Sequence, residues 1–403
     1  MTTLPASDAV AERSRAILEA HWRPLGYTVP NDAVYPHQWL WDSCFHAVVW
    51  TVLGAPDRAV SELERALAHQ ADDGFVPHMT YWEAPDQHAA FWGRRTTSAI
   101  TQPPMYGHAL AELVRHGHTP PADLVARAVA GLEHLAERRS IGGGGMVPIL
   151  HPWESGCDDS PRWDSWCPGG WTATGWKQTK GDLVGALRFD PRTGSPCGSD
   201  AFIVGSVGWN ALVAFNCAEL ATVVTDAGVV ASLRAIAAEV RAATSARWDD
   251  ELGCEHDWSE PYRSSSGIRT LDAMLGVLAA ESPPTRVIAG QLRVVCWDGA
   301  FGGDCGPAAV HRDEPTYDPT TYWRGSAWPQ LTYLCWVAAR RAGMDDEARR
   351  LGDALVRGAW SSGFAEFWHP DTGAPLGAVP QSWAALAAVV SATSAWSGPP
   401  AGR

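Results

Sequence analysis

Amphipathic helical segments alternate with long loops along this chain of 403 residues, and this alternation is the feature that most constrains its fold. Val60, Leu63 and Leu67, for example, share one face of a predicted helix over 56–70. Runs of Val, Ile and Thr with period two are scarce, so little sheet is expected. The pattern predicts an all-α protein.

The predicted helices are joined alternately by short turns and by long loops rich in Trp, Gly and Pro. Short connections join antiparallel neighbours, and long loops at every second junction gather binding residues at one end. Six such helix hairpins can close into a double ring, which predicts an (α/α)6 barrel with its active-site pocket in the long loops. No linker divides the chain, so we expect one catalytic domain over 1–403. The predicted ranges are 6–22, 38–53, 56–70, 97–116, 121–138, 175–187, 206–227, 229–247, 269–280, 284–295, 324–342, 345–358 and 380–396.

Composition and charge exclude several classes of protein. The net charge of −14 argues against a nucleic-acid partner. No apolar run is long enough for a membrane span, and the N-terminus does not resemble a secretory signal, so cytoplasm is the expected compartment. Nine scattered cysteines without a CxxC pair indicate neither a zinc site nor a disulfide framework. No metal, cofactor or membrane partner is expected, and the oligomeric state is left open.

Tryptophan is unusually abundant, with 22 Trp against 8 Tyr and 9 Phe. Indole faces stack on the apolar faces of sugar rings, which favours a carbohydrate partner. The alternative is a tryptophan-rich core, because aromatic residues dominate many cores.

The segment WESGCDDSPRWDSW, residues 153–166, crowds carboxyl groups between indoles. Crowding and apolar walls such as Trp153 raise the pKa of one carboxyl, and a general acid must be protonated near neutral pH. Arg162 is the expected counter-ion of a neighbouring acid. The alternative is an acidic loop with a structural ion pair. The acids concerned are Glu154, Asp158, Asp159 and Asp164.

Two further loops precede this segment. In YPHQWLWDSCFH, residues 35–46, Trp41 and Asp42 open a predicted helix, where an acid beside an indole suits two sugar hydroxyls. The alternative is that Asp42 only favours the start of the helix. In TSAITQPPMYGHA, residues 97–109, Gln102 precedes two prolines that hold the backbone extended.

The last unusual loop is split in two. TYWRGSAWPQ, residues 321–330, places aromatic residues and an arginine at a helix start, and Glu366 lies beside Phe367 and Trp368 in 363–383. A carboxylate among aromatic residues suits a general base, although such a residue is more often half-exposed and ordinary. The chain contains no GxSxG, Walker loop, GxGxxG or HEXXH motif.

In this order, the motifs YPHQWLWDS, ITQPP, ESGCDDSPRW, YWRGSAWP and EFWHPDTG…SW resemble the bacterial enzymes of glycoside hydrolase family 63. The resemblance is closest to the compact glucosylglycerate and mannosylglycerate hydrolases and covers about 31–390. It implies an (α/α)6 fold and inverting hydrolysis of α-linked sugars, with Asp158 as general acid and Glu366 as general base. An inverting pair needs room for a water, hence a carboxyl separation of roughly 6.5–9.5 Å.

The same motifs supply the predicted substrate-binding residues. The resemblance implies that Gln102 lies near the mouth of the pocket and that a set of aromatic and polar residues holds the glycosyl unit. The predicted substrate-binding set comprises Tyr35, Trp41, Asp42, Gln102, Trp153, Arg162, Arg192, Tyr322, Trp323, Arg324, Trp328, Gln381 and Trp383.

Two departures from the family pattern stand out. Asp159 stands where the family usually has Asn, which is expected to raise the pKa of Asp158 or to share its role. The loop over 188–202, where glycerate-cleaving members use an Arg and a Tyr, offers Arg188 and Arg192 but no Tyr.

The favoured substrate is glucosylglycerate, with mannosylglycerate second. The alternatives within enzymes are a trehalase-like or oligosaccharide α-glucosidase, a glycosidase trimming a secondary metabolite, and a sugar epimerase, although epimerases lean on paired pocket histidines. A further alternative is a sugar-binding barrel without catalysis, which the presence of both Asp158 and Glu366 disfavours.

Overall fold

The computed structural model describes residues 4–139, 145–167, 169–260 and 267–393. The α-helices within these ranges are α1 (Ser7–Ala20), α2 (Leu40–Val52), α3 (Pro56–Ala66), α4 (Ala89–Trp92), α5 (Tyr106–Arg115), α6 (Ala122–Arg138), α7 (Ala173–Val184), α8 (Val207–Leu220), α9 (Ala227–Ser245), α10 (Arg286–Cys296), α11 (Pro329–Ala342), α12 (Asp345–Ser361) and α13 (Leu386–Ser391). Four 3-10 helices complete the helical content of the described ranges: Pro152–Ser155, Pro161–Trp166, Asp272–Ala279 and Ser382–Ala385. The described chain is therefore rich in helix, as predicted.

The described strands are only two to four residues long and form six separate two-stranded antiparallel pairs. Small sheet content was predicted from the scarcity of period-two segments, and the structure confirms it. The pairs are β1 (Trp22–Arg23) with β2 (Tyr27–Thr28), β3 (Gln38–Trp39) with β4 (Met79–Thr80), β5 (Leu187–Phe189) with β6 (Pro196–Ser199), β7 (Ile203–Gly205) with β10 (Trp258–Glu260), β8 (Trp248–Asp249) with β9 (Cys254–Glu255), and β11 (Phe367–Trp368) with β12 (Pro375–Leu376).

Most predicted helices are present, and the errors occur where local chemistry stops a helix. The helix predicted over 97–116 begins only at Tyr106, because Pro103 and Pro104 keep the preceding segment extended. The helix predicted from 324 begins at Pro329, with an extended Trp328 before it. A proline at the first helical position is favourable, since its missing N–H has no helical partner there.

Two other predictions were wrong in helix type or extent. The segment predicted as a helix over 269–280 forms a 3-10 helix, Asp272–Ala279. The segment predicted over 380–396 forms the 3-10 helix Ser382–Ala385 and then α13, which ends at Ser391; its residues 394–396 lie outside the described part.

The chain divides into two compact units. The first comprises 1–36, 45–62 and 269–403, and the second comprises 37–44 and 63–268. In the first unit, α11 packs against α10, α12 and α13, and α1 packs against α13. Nearly every residue of α11 is buried, which is the pattern of a helix surrounded by others rather than one with a solvent face.

In the second unit, α8 takes the corresponding central role. It packs against α5, α6 and α9, and all of its residues except Ala218 are buried. The helices around it, such as α6 and α9, bury one face only. Among the described residues, no helix is both long enough and apolar enough to span a membrane.

Candidate active site

Asp158 and Asp159 lie at the centre of a tight turn in the second unit. The Ser160 N–H donates to the Cys157 carbonyl at 3.1 Å and closes the turn. The two 3-10 helices of this unit flank it, and each begins with a proline whose fixed φ suits a first helical turn. Asp158 is partly exposed, whereas Asp159 is buried. The turn thus presents one carboxyl outward and withdraws its neighbour.

Glu154, the first acid of the predicted cluster, is completely buried and anchors the loop. Both terminal guanidinium nitrogens of Arg139 donate to its carboxylate, at 2.6 and 2.8 Å. The backbone N–H groups of Leu150 and Thr101 donate to the same carboxylate at 2.7 and 3.1 Å. A buried charge needs this many partners, so Glu154 is structural in this arrangement.

Asp159 pairs with Lys180 of α7. The Lys180 Nζ lies 2.5 Å from Asp159 Oδ1, and both side chains are largely buried. The same ammonium group lies 5.7 and 5.9 Å from the ring centroids of Trp153 and Trp176. The Trp176 indole N–H donates to the backbone carbonyl of Asp158 at 2.9 Å. Helix α7 therefore holds the turn at both of its central residues.

Arg162 forms a buried ion pair with an acid outside its own loop, a partner that the sequence pattern did not indicate. Its guanidinium donates to both carboxylate oxygens of Asp257, at 2.7 and 2.9 Å, and lies over the Trp163 ring. Asp257 also accepts the Val207 N–H at the start of α8. The partner is distant in sequence, and the buried pair fixes the end of the loop to the central helix.

Trp41 and Gln102 lie with this loop in the second unit. The Trp41 N–H donates to Gln102 Oε1 at 3.3 Å. The Trp41 ring lies so close to Gly156 that a Cβ at that position would be 2.6 Å from it, and Gly156 has a φ of +73°. Only glycine fits this close approach at low cost, so the packing of the Trp41 indole explains the glycine of the ESG sequence.

Glu366 is buried at the start of a hairpin in the first unit, formed by β11 and β12. The Tyr35 hydroxyl donates to Oε1 at 2.8 Å, and the Ala378 N–H donates to Oε2 at 3.0 Å. The Trp383 indole N–H donates to the backbone carbonyl of Glu366 at 2.9 Å. Burial raises the pKa of the Glu366 carboxyl above its ordinary value, and the Ala378 and Tyr35 donors, which favour the charged form, offset part of this effect.

Gly377 makes room for this carboxylate. It has a φ of +70°, and a Cβ there would be 2.4 Å from Glu366 Oε2 and 2.6 Å from the Phe367 ring. The glycine therefore permits both the left-handed turn and the close approach of the carboxylate to the following N–H.

Stacked aromatic rings lie beside Glu366 in the first unit. Trp323 and Trp328 are 3.6 Å apart with an interplanar angle of 3°, and Phe367 stacks on Trp328 at 4.6 Å. Tyr322 and Trp383 contact Trp328 edge-on. The indole N–H groups of Trp323 and Trp328 are buried without a hydrogen-bond partner among the described residues. Two unsatisfied donors in one stack suit a polar ligand.

Trp323 also has a backbone conformation that is rare for a bulky residue. Its φ is +60°, in the left-handed region. Such strain is held only where the surrounding structure determines it, and it occurs often at functional sites.

Gln381 is positioned by a buried polar chain. Its side-chain oxygen accepts the Ser382 N–H at 3.0 Å, and the Ser382 hydroxyl lies 2.6 Å from His46 Nε2. His46 Nδ1 lies 3.4 Å from Glu62, which also accepts from the backbone N–H and hydroxyl of Thr28. A proton on Nδ1 satisfies both histidine contacts. This serine–histidine–glutamate arrangement is fully buried, so it holds Gln381 in place rather than reaching a substrate.

The other predicted binding residues have diverse positions. Trp153 is half-buried and packs against Trp92 at 6.0 Å. Asp42 is buried in the first turn of α2, and Arg324 is buried just before α11. Arg192 lies in the turn between β5 and β6, where its side chain is 79% exposed and 3.5 Å from Asp190. The structure does not bring Arg192 into contact with the other predicted residues of its unit.

Sequence reasoning missed the charged partners Arg139, Lys180, Asp257, His46 and Glu62. Each lies at least 15 residues along the chain from the residue that it holds, and a single charged residue carries no local signal of such a partner. A cluster of His108, Glu112 and Glu219 could in principle hold a metal. Arg115 donates to both of these carboxylates, which supplies the positive charge that a metal would bring.

A model of the mannosylglycerate hydrolase MGH1-like glycoside hydrolase domain matches residues 35–384. The chain belongs to this family. It is a glycoside hydrolase, and the resemblance to glycoside hydrolase family 63 that its motifs indicated is confirmed.

Relatives cover almost the whole chain. The glucosylglycerate hydrolase of Mycolicibacterium hassiacum is 29% identical, over 89% of this chain and 92% of its own length. The mannosylglycerate hydrolase of Rubrobacter radiotolerans is 28% identical, over 94% of this chain and 96% of its own. The crystal structure of a family 63 mannosylglycerate hydrolase from Thermus thermophilus in complex with Tris superposes with a TM-score of 0.80 at 25% identity, covering 95% of this chain and 99% of that one.

Proposed function

We propose that this glycoside hydrolase is an inverting α-glycosidase that cleaves a small α-glycoside of glycerate. Asp158 donates a proton to the glycosidic oxygen as the bond to the sugar breaks. Glu366 removes a proton from a water that attacks the anomeric carbon from the opposite face. After bond cleavage Asp158 is deprotonated and Glu366 is protonated, and proton exchange with solvent restores both starting states before the next turnover.

The observation that carries this proposal is the environment of Glu366. Its carboxylate is buried, accepts hydrogen bonds from Tyr35 and Ala378, and has a pKa raised by burial. A general base works best when its pKa lies near the working pH, and a raised carboxyl pKa moves it in that direction. Buried stacked aromatic rings, Trp323, Trp328 and Phe367, lie beside it.

Support for the substrate class comes from the relatives, whose names specify glucosylglycerate and mannosylglycerate. We place glucosylglycerate first and mannosylglycerate second. Arg192, the sequence candidate for the glycerate carboxylate, lies in an exposed turn, so its part in binding glycerate is the least supported element of the proposal.

The proposed architecture is a single (α/α)6 catalytic domain that gathers the motif loops at one end. The fold similarity to solved family 63 structures supports this arrangement. The proposed contacts to sugar hydroxyls and ring faces involve Tyr35, Trp41, Asp42, Gln102, Trp153, Arg162, Tyr322, Trp323, Arg324, Trp328, Gln381 and Trp383. The cytoplasmic location and the absence of nucleic-acid partners stay predictions.

A panel of pure glycosides tests the proposal. We expect glucosylglycerate or mannosylglycerate to be hydrolysed with a kcat/KM at least about 100-fold above that of trehalose, kojibiose, nigerose and maltose, because a site with polar groups for an aglycone discriminates strongly against ligands that leave them unpaired. Coupled detection of released glucose or mannose gives the rates. Preferential hydrolysis of a disaccharide contradicts the glycerate assignment.

A trehalase-like activity is the second candidate function. A neutral trehalase of Saccharomyces cerevisiae shares the fold, with a TM-score of 0.56 at 15% identity. Turnover of trehalose in the same panel would favour it.

A further inference from the structure

Two adjacent carboxyl groups lie in the turn that carries the proposed general acid. Carboxyls in neighbouring residues interact strongly, and one of them then holds its proton at the expense of the other. Asp158 holds that proton only if Asp159 stays ionised, and a cation beside Asp159 stabilises its charged form. The structure provides that cation in Lys180.

Lys180 reaches Asp159 from a different element, α7. Its ammonium nitrogen lies 2.5 Å from Asp159 Oδ1, with side-chain exposures of 9% and 12%. The faces of Trp153 and Trp176 lie 5.7 and 5.9 Å from the same nitrogen. In a buried ion pair, removal of one partner leaves the other charge uncompensated, so each charge of the Lys180–Asp159 pair depends strongly on the other.

Neighbouring elements bring other charged and titratable groups to this loop, and each of them has a described partner of its own. Arg139 pairs with Glu154, and Asp257 pairs with Arg162. His151 Nε2 contacts the backbone carbonyl of Lys180, and burial lowers the pKa of this histidine to about 3, so it is neutral. Lys180, on α7, is a basic group outside the loop that the structure pairs with the Asp158–Asp159 turn.

We infer that Lys180 is a positioning residue for catalysis: its ion pair with Asp159 compensates the second carboxylate and leaves Asp158 as the proton donor. The inference rests on the proposed function, in which Asp158 is the general acid. It also explains why an Asp is accommodated at position 159, where the family usually has Asn. The charge that Asp159 adds to the turn is matched by the charge of Lys180.

The inference predicts opposite effects for the two single substitutions. In Lys180→Met, the turn loses a positive charge and keeps the second carboxyl, so the pKa of Asp158 rises. The high-pH limb of the kcat profile should then move up by about one pH unit. In Asp159→Asn, the positive charge of Lys180 stays without its partner and lowers the pKa of Asp158. The high-pH limb should therefore move to lower pH by a similar amount. The double variant should return to within about 0.3 pH unit of the wild type, since both charges are gone.

Controls separate charge from structure. Lys177→Met removes a lysine from the exposed face of the same helix and should leave the profile unchanged. Lys180→Arg keeps the charge and should keep the wild-type limb, even if its stability differs. A purely structural role for Lys180 predicts lower activity in Lys180→Met at every pH with no movement of the limb, and that result overturns the inference.

A second readout does not depend on the substrate. Carboxyl ¹³C NMR of protein labelled at aspartate, with Asp158→Asn used to assign the signal, follows the titration of Asp158 directly. Movement of this titration in the directions given above supports the inference, and an identical titration in wild type and Lys180→Met contradicts it. If Asp158→Asn keeps full activity, the proposed general acid is wrong; if it loses activity while the limb stays fixed in Lys180→Met, only the role of Lys180 is wrong.

Discussion

The Asp158 turn in the second unit and the Glu366 hairpin in the first unit hold their carboxyl groups by different means. Around the turn, buried carboxylates are paired with cationic side chains: Glu154 with Arg139, and Asp159 with Lys180. Around the hairpin, Tyr35 and Ala378 bind the Glu366 carboxylate through neutral donors, a tyrosine hydroxyl and a backbone N–H. The turn leaves the proposed acid Asp158 partly exposed, whereas the hairpin buries the proposed base Glu366.

This difference corresponds to two chemical tasks. A proton donor next to other carboxyls keeps its proton when those neighbours are held in their charged form, and buried ion pairs achieve this while they fix the loop. A base must be reactive but still ionised, and burial with two neutral donors raises its pKa without a permanent cation that would stabilise the carboxylate too strongly. Substitutions in the turn and in the hairpin test this difference separately.

Removal of either carboxyl has the largest expected effect. We expect Asp158→Asn and Glu366→Gln each to lower kcat on a glycerate glycoside by about 10²–10⁴-fold or more, because each loses general acid or base catalysis. KM should change much less, since neither change removes the main contacts to the sugar. Steady-state kinetics at the wild-type optimum gives both values.

A substrate that needs no protonated leaving group distinguishes the two roles. Fluoride leaves without help from a general acid, so Asp158→Asn should hydrolyse α-glucosyl fluoride far faster, relative to wild type, than it hydrolyses the glycerate glycoside. Glu366→Gln should be equally impaired on both substrates. The reverse pattern would exchange the assigned roles.

Of the proposed substitutions, loss of the buried Arg139–Glu154 ion pair should lower the free energy of unfolding the most. We expect Arg139→Met to destabilise the protein by about 3–5 kcal/mol, because the Glu154 charge is left buried without its cation. Chemical denaturation followed by tryptophan fluorescence measures the change. Arg95→Met is the matched control, since Arg95 pairs with Asp86 on the surface and should change stability little. Similar losses in both variants would show that the buried pair is not what holds the loop.

The hairpin is expected to be most sensitive at Gly377. A methyl group there would collide with the Glu366 carboxylate, so Gly377→Ala should lower kcat by about 10–100-fold through displacement of the base. Gly363→Ala is matched to it: its φ is +69°, close to the +70° of Gly377, and an added Cβ would lie 3.6 Å from the nearest atom of Val379. Both variants should lose similar stability from the left-handed conformation, but only Gly377→Ala should lose activity. Equal kcat values in the two variants would contradict this account of the hairpin.

Loss of the tyrosine donor has a smaller effect with a defined pH signature. Tyr35→Phe removes a hydrogen bond that favours the charged form of Glu366, so the pKa of this carboxyl rises further. The base must be deprotonated to act, so activity appears only at higher pH and the low-pH limb of kcat/KM moves upward. On the plateau above this limb we expect about a tenfold loss from the missing bond. An unmoved limb would show that the hydrogen bond from Tyr35 does not set the pKa of Glu366.

Much of this organisation could be predicted from short-range patterns. Helical periodicity located α3, α6 and α12, and the resemblance of the motifs to family 63 singled out Asp158 and Glu366 among the acids of their loops. Helix starts were misplaced where a proline overrides periodicity, as at Pro104 and Pro329.

The partners that set the chemistry could not be predicted in the same way. The structure pairs Arg162 with Asp257 at a separation of 95 residues, a partner that no local pattern indicated. Lys180 and His46 likewise act on residues that only the fold brings near them. Such pairings depend on three-dimensional packing, for which one sequence contains no local signal.

The stereochemistry of the first-formed sugar tests the central claim most directly. If Asp158 and Glu366 act as an inverting acid–base pair, ¹H NMR of the first minutes of hydrolysis of α-glucosylglycerate, or of the mannosyl substrate if that is the one cleaved, shows the β-anomer first, with the α-anomer appearing only as mutarotation proceeds. Initial formation of the α-anomer would contradict the account, because it requires a covalent intermediate on one carboxyl in place of a base acting on water.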